Sequence, residues 1–383
     1  MENIIYSKND NRIRILHIVQ SAGGVERYLR SFLKYINSEK YCNILVCSND
    51  YQEERYVDLV DYFENVDMIR EINIKSDISA ILKVRKFIKK YKPNIVYCHS
   101  SKAGAIGRMA NIGFYNRCIY NPHGWAFNMC GSNIKKGIYI CIEKMLGLLT
   151  DKIVCISEAE QVSALKYKIC RENKLIVINN GIDFEEYNAE CNDISRVLLD
   201  IPEDAFIVGC VGRLSEQKAP DVFAKAAVLI KEEIPNAYFL MVGDGELKTS
   251  IEEIFKKNNI RDYKITGWVD NPMSYIKLFD IATLLSRWEG FGLVLAEYML
   301  AGKTIVATNV DAIPYVVIDE ENGLLVNVDN EVAVHDAVMR IYNDEMLNAR
   351  LKENGYNIVY QKYSAKKMVK HYEQLFIRIV TQD

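Results

Sequence analysis

The chain has no long apolar run: no window of its 383 residues reaches the roughly 18 continuous apolar positions that a membrane-spanning helix needs. Nor does any Cys-x-x-Cys pair occur. All 10 cysteines lie between Cys42 and Cys210, several inside apolar runs such as "NILVC" and "KIVC", which fits buried reduced thiols in a cytoplasm rather than a disulfide framework. The leading "MENIIYSKNDNRIR" lacks a basic segment followed by an apolar core, so no secretory leader is expected. Only 7 prolines and 20 glycines are present, too few for a fibrous or low-complexity chain. The five histidines (His17, His99, His123, His335, His371) are far apart in sequence, and no H-E-x-x-H or D-x-D triplet occurs. No metal and no other cofactor is therefore expected. Zinc-finger spacings, arginine-rich runs and RRM-type aromatic motifs are missing too, so nucleic acid is not an expected partner. A G-x-G-x-x-G turn is absent after the first strand-like run, which weakens a dehydrogenase reading. "AGKT" at Ala301 to Thr304 is not a P-loop, because Glu297 stands where that motif needs glycine.

What is present points to a packed globular protein, with 49% apolar and 26% charged residues. The length exceeds one ordinary core, so two domains are expected. Net charge is -3, yet residues 1–195 hold 27 basic and 23 acidic residues against 21 and 28 in the remainder. Between Ile78 and Ile142 there are 11 basic residues and no Asp or Glu. Either a solvated helix face, as in "ILKVRKFIKKYK", or an anionic partner surface accounts for this; the surface would be bilayer headgroups or a phosphate-bearing acceptor.

Short β-branched runs recur along the chain, each followed by a turn-like group and a helical pattern. They are "RIRILHIV", "CNILVCS", "NIVYCHS", "RCIYNPHG", "DKIVCISE", "KLIVINNG", "FIVGCVGR", "AYFLMVGDG", "YKITGW", "IATLLS" and "TIVATN". They are continuous rather than alternating in polarity, as buried parallel strands are, so the fold class is α/β with doubly wound sheets. Strand spacing lapses in the acidic stretch from Glu185 to Asp193. Two Rossmann-like domains, 1–190 and 191–363, are expected to face a cleft, with ligands outside the carboxyl ends of the strands.

The residues that follow the strands are the candidates for chemistry. Gly23 and Gly24 permit a tight turn that could hold an anion at a helix start, or merely connect strand to helix. His123, in "NPHGWAF", lies in a turn and could donate to a sugar hydroxyl or a leaving phosphate. Trp125 beside it offers a flat surface to a sugar, although Phe127 is equally well a core residue. Arg213 and Lys218 follow a strand in "VGCVGRLSEQKAPD" and could clamp a diphosphate, or stand as two solvated surface cations. "VGDGELK" brings Gly243 to a strand end, and "GWVDNP", with Val269, could shape a slot for a base.

"SRWEGFGLVLAEYMLAG" reads as a strand end, a glycine loop and a helix closed by Gly302. Glu297 is a lone charge in that apolar helix and must be hydrogen-bonded, to ribose hydroxyls or to protein groups. Glu289 sits in the loop before it.

Glu289, seven residues and Glu297, with "GFG" between, resemble the E-x7-E signature of retaining GT-B glycosyltransferases of family GT4. "AGGVER", "NPHGWAF", "NNGID", "VGRLSEQKAPD", "GDGELK" and "GWVDNP" occur in that family's order, from about residue 12 to about residue 363. The resemblance implies a carboxyl-terminal domain that binds a sugar nucleotide, UDP-linked before GDP-linked. Arg213 and Lys218 would clamp the diphosphate, Glu297 would bind ribose, and Glu289 would hold the hydroxyls of the donor sugar. Backbone N–H groups around Phe291, Gly292 and Leu293 would approach sugar and diphosphate; Gly24 would close onto the phosphates and His123 would lie near the transferred sugar. It also implies a final helix, residues 364–383, that returns to the first domain. The acceptor would be lipid-linked or a surface polysaccharide, met by segments around Gly104 to Gly113 and Trp125 to Gly137. The enzyme would work in the cytoplasm, with residues 78–142 against the inner face of the membrane. A transferase of a small soluble acceptor, an epimerase, or a non-catalytic nucleotide-sugar binder are the alternatives.

Overall fold

The computed structural model describes residues 11–20, 23–69, 71–129, 132–189 and 194–381. The leader region read above, residues 1–10, and the end of the acidic stretch, residues 190–193, lie outside the described residues. The chain divides into two compact units, one of residues 1–179 with 365–383 and one of residues 180–364.

In the first unit seven parallel strands alternate with helices. They are β1 (Ile13–Val19), β2 (Tyr41–Cys47), β3 (Tyr62–Asn65), β4 (Ile95–His99), β5 (Arg117–Asn121), β6 (Lys152–Cys155) and β7 (Leu175–Val177). Their order is β3-β2-β1-β4-β5-β6-β7. The helices are α1 (Gly24–Tyr35), α2 (Ile74–Tyr91), α3 (Ser101–Ala110), α4 (Asn133–Gly147) and α5 (Glu158–Lys166). Continuous apolar strands follow from cover on both faces: Val84, Ile88 and Ile106 pack on one side of the sheet, Tyr28, Phe32 and Leu33 on the other. The segment around Gly104 to Gly113, expected as an acceptor loop, is for the most part α3. It lies tight on the sheet, since a Cβ on Gly104 would stand 2.4 Å from the Tyr120 ring and one on Gly107 2.4 Å from the Cys98 sulfur.

The second unit opens with α6 (Phe184–Ala189) and holds six parallel strands: β8 (Phe206–Val211), β9 (Ala237–Val242), β10 (Tyr263–Ile265), β11 (Ile281–Leu284), β12 (Thr304–Thr308) and β13 (Leu324–Val326). Their order is β10-β9-β8-β11-β12-β13. Helices α7 (Pro220–Glu233), α8 (Lys248–Lys257), α9 (Met273–Ile276), α10 (Leu293–Leu300) and α11 (Ile313–Val316) connect them, and α12 (Glu331–Asn343) and α13 (Glu345–Lys362) follow the last strand. Phe223, Phe239, Phe255 and Val338 anchor its core.

The final helix, α14 (Ala365–Thr381), belongs to the first unit, where Met368, Tyr372, Leu375 and Phe376 are buried against the α1 face of the sheet. Both sheets are doubly wound. In each, the strand order reverses beside the first strand of the unit, between β1 and β4 and between β8 and β11, which is where such sheets leave room for a ligand beyond their carboxyl ends.

Candidate active site

In the second unit the carboxyl end of β8 is drawn against that of β9. A Cβ on Gly243 would stand 2.1 Å from the Gly212 carbonyl oxygen, so only glycine permits this approach. The Leu214 N–H donates to the Asp244 carbonyl at 2.9 Å, and Gly243 bridges to Gly267 after β10. Three strand ends are thereby fixed together. Arg213 stands exposed on this rim, and its guanidinium makes no ion pair or hydrogen bond with the described residues. Val269 is half-buried in the next loop, beside Trp268, whose ring is largely exposed.

The loop after β11 docks onto the loop after β8. Lys218 Nζ pairs with Glu289 Oε2, which also accepts from the Ser286 hydroxyl at 3.2 Å. The Glu289 side chain is only 11% exposed, so the pair is sheltered. The Glu289 N–H donates to Asp311 Oδ2 at 3.0 Å. Arg287 holds the two loops in register: it donates to the Glu216 carbonyl, to Asp221 and to Asp329 at 2.7 to 2.8 Å. Gly292 caps the amino end of α10, with Phe291 buried behind it against Tyr363 and Leu293 half-buried at the first helical position. Glu297, one turn on, is buried and accepts from the Tyr187 hydroxyl at 2.7 Å. The structure thus brings Lys218, Glu289 and the α10 start together beside Arg213. Glu297 finds a protein partner in Tyr187.

In the first unit Gly24 begins α1, exposed, after Gly23 at φ 108°. His123 occupies the turn after β5 at φ 50°, a left-handed conformation unusual for a residue with a Cβ. The turn is held from below. Asn121 accepts the His123 N–H at 3.0 Å, and Glu160 accepts the N–H groups of both Gly124 and Ile156. Burial pushes the Glu160 carboxyl up to about 8 despite those two donors. Trp125, expected to present its ring to a sugar, is 1% exposed: it stacks on Phe127 and donates its indole N–H to the Glu160 carbonyl at 2.9 Å. The ring is core, and it steadies the turn.

The histidines that stand far apart in sequence meet here. His17 on β1 and His99 at the end of β4 lie on adjacent strands, and His123 follows β5, next in the sheet. Asn43 Oδ1 lies 3.2 Å from His17 Nε2, His17 Nδ1 3.3 Å from His99 Nε2, and His99 Nδ1 3.1 Å from His123 Nε2. Burial lowers the pKa of His17 to about 4 and of His123 to about 3, and that of His99 well below its ordinary value. All three rings are neutral at pH 7.

The acid-free segment is balanced from outside itself. Arg108 pairs with Glu143 while its guanidinium covers the Tyr120 ring, and Lys90, Lys102 and Arg117 pair with Glu64, Asp77 and Asp151.

Two family models lie in succession along this chain, Glycosyltransferase Family 4 on residues 22–186 and Glycosyl transferases group 1 on residues 192–358. The chain belongs to this glycosyltransferase family. The glycosyltransferase is 28% identical over 365 residues to the Escherichia coli UDP-Gal:alpha-D-GlcNAc-diphosphoundecaprenol alpha-1,3-galactosyltransferase, with 91% of this chain and 94% of that protein covered. It is 24% identical over 371 residues to the Staphylococcus aureus capsular polysaccharide biosynthesis glycosyltransferase CapM, covering 95% and 96%. Among solved structures it resembles HepE of Anabaena in complex with UDP and glucose, at a TM-score of 0.83 and 19% identity over 96% of this chain and 100% of that one. The fold is GT-B. Ser286, Arg287, Asp311 and Tyr187 in the second unit, and His17 and His99 in the first, make contacts that reading the sequence did not single out. For His99 a signal existed: it ends a strand, where the chemistry of such folds collects.

Proposed function

We propose that the enzyme transfers a hexose or N-acetylhexosamine, with retention and without a metal ion, from a UDP-sugar to a lipid-linked or surface-polysaccharide acceptor. The observation that carries this reading is the sheltered Lys218 and Glu289 pair at the β8/β11 reversal, with the unengaged cation Arg213 beside it. A diphosphate would draw Lys218 and Arg213 to itself and release Glu289 to hydrogen-bond sugar hydroxyls. N–H groups at Gly292 and Leu293 would add their dipoles as the anomeric C–O bond breaks and UDP leaves. The acceptor hydroxyl forms the new bond on the same face, its proton passing to the leaving phosphate. Glu297 would bind ribose and Gly243 and Val269 would flank the base. Gly24 would offer its N–H to phosphate and His123 would meet a sugar hydroxyl, while Trp125 would serve the acceptor side by bracing the His123 turn. The activity in the name of the Escherichia coli relative, with a UDP-Gal donor and a diphosphoundecaprenol-linked acceptor, supports this choice of donor and acceptor.

A specific surface supports contact with the inner membrane leaflet. Along α4 the exposed residues Ile134, Ile138, Cys141, Met145 and, just beyond it, Leu148 recur at helical spacing, flanked by Lys135, Lys136 and Lys144. Apolar residues on a solvent face with lysines alongside fit an anionic bilayer interface. Among the described residues no helix is long and apolar enough to cross a membrane.

The test is incubation with a panel of nucleotide sugars and an undecaprenyl-diphosphate-linked sugar, with and without EDTA. Released UDP and the anomeric configuration of the product are read. Release of GDP alone, dependence on added metal, or an inverted product would each overturn the corresponding part. Flotation with anionic liposomes should fail for an Ile134→Glu, Leu148→Glu variant that still turns over a water-soluble acceptor.

A further inference from the structure

His123 is held by a chain of rings whose hydrogen-bond polarity is set at its far end. The rings of His17 and His99 lie 18° from parallel and those of His99 and His123 19°, joined edge to edge through nitrogen rather than stacked face on face. Asn43 presents a carbonyl oxygen, which can only accept, so His17 Nε2 carries the proton. A neutral imidazole has one N–H, hence His17 Nδ1 accepts from His99 Nε2, and His99 Nδ1 accepts from His123 Nε2. The chain ends at His123 Nδ1, a bare lone pair that no described group engages. The neighbours of the rings are aromatic, with Phe32 beside His17, Tyr97 beside His99 at 4.0 Å and Tyr28 beside His123 at 4.6 Å. No carboxylate or cation is among the groups that act on their charge, so nothing competes for the proton positions.

We propose that His99, with His17 and Asn43 behind it, is a positioning residue that fixes His123 as the Nε2–H tautomer, so that His123 meets the substrate as a hydrogen-bond acceptor through Nδ1. A sugar hydroxyl would donate to it, the reverse of the donor role expected from the sequence. The inference rests on the reading that His123 belongs to the site. It gives that histidine a direction: a hydroxyl at this point is recognised, and a carbonyl or ether oxygen is refused for want of a proton.

The test is two-bond ¹H–¹⁵N spectroscopy of protein labelled at histidine, which separates a protonated ring nitrogen from a bare one, alongside steady-state kinetics. The wild type should show His123 Nδ1 bare and Nε2 protonated; a protonated Nδ1 would overturn the proposal without any variant being made. His99→Asn keeps an acceptor oxygen near the place of Nδ1 and should retain both the tautomer and most of the kcat. His99→Leu removes the acceptor; it should mix the tautomers of His123 and lower kcat about tenfold with the donor KM unchanged, the factor one hydrogen bond gives in a rate. An unchanged His123 tautomer in His99→Leu also overturns the proposal. His123→Ala with full turnover would instead remove His123 from the site, an outcome the spectra do not depend on.

Discussion

The side-chain oxygen of Asn121 accepts the backbone N–H of His123 at 3.0 Å and so supports a residue at φ 50°. The nitrogen of the same amide donates to the Tyr372 hydroxyl at 3.1 Å, which ties the turn to α14. Asn121→Ala should cost about 2 kcal/mol, because a strained N–H loses its acceptor, and should lower kcat more than it raises the donor KM. Tyr372→Phe should cost about 1 kcal/mol with kcat near wild type. Urea unfolding and UDP release measure both. Wild-type kcat in Asn121→Ala would show that the turn stands without this support.

Glu289→Gln keeps the size of the side chain and a bond to Ser286 but removes the charge. Turnover should fall about 100-fold, the cost of one misplaced polar group in a transition state. Stability should change by less than about 1 kcal/mol, since the glutamine carbonyl oxygen can still accept from Lys218 and Ser286. Lys218→Met should raise the donor KM about tenfold. Isothermal titration with UDP distinguishes the two: binding should weaken in the lysine variant and hold in the glutamine variant.

Arg287 touches no proposed ligand, yet it fastens the Glu289 loop to Glu216, Asp221 and Asp329. A lysine cannot reproduce that fork. Arg287→Lys should lose about 2 kcal/mol of stability and some turnover, with UDP affinity weakened through the displaced Lys218. Thermal unfolding with and without UDP reads both effects.

The buried titratable groups set a pH slope. Below pH 6.5 the unfolded chain protonates His17, His99 and His123, which stay neutral in the fold, so unfolding takes up protons and stability falls as pH falls toward about 4. Glu160 acts oppositely: its raised folded value, about 8, gives stability that is present below pH 4.5 and lost as pH rises through 8. Near pH 5 three protons are taken up and one is released, a slope of roughly 3 kcal/mol per pH unit from these groups. His17→Gln removes one proton from the count and should flatten the slope by about 1.4 kcal/mol per unit. Urea midpoints between pH 5 and 6.5 compare the two; equal slopes would mean that His17 is charged in the fold.

The eleven apolar runs all became strands, because a strand covered on both faces must be continuously apolar. The strands that escaped notice, β3 and β13, are short ones at sheet edges, and β3 reads Tyr-Phe-Glu-Asn with no such run. Lys218 and Glu289 could be named as candidates because each follows a strand in the sequence, and the structure pairs them. The links among His17, His99 and His123 were not legible. Their spacing of 82 and 24 residues carries no signal until parallel pairing sets β1, β4 and β5 side by side. Trp125 misled for a related reason: a turn residue is open or closed according to what packs beneath it, here Phe127 and Glu160.

The return of α14 to the first sheet bears on how the chain is made. Seven of its side chains, from Ala365 to Ile379, are buried there, on the order of 10 kcal/mol of apolar burial and comparable to the whole stability of a domain. A ribosome therefore releases the second unit with its sequence complete while the first still waits for its last helix. The part made first should be the part finished last, with an open apolar sheet face for a chaperone to guard until residue 381 has emerged.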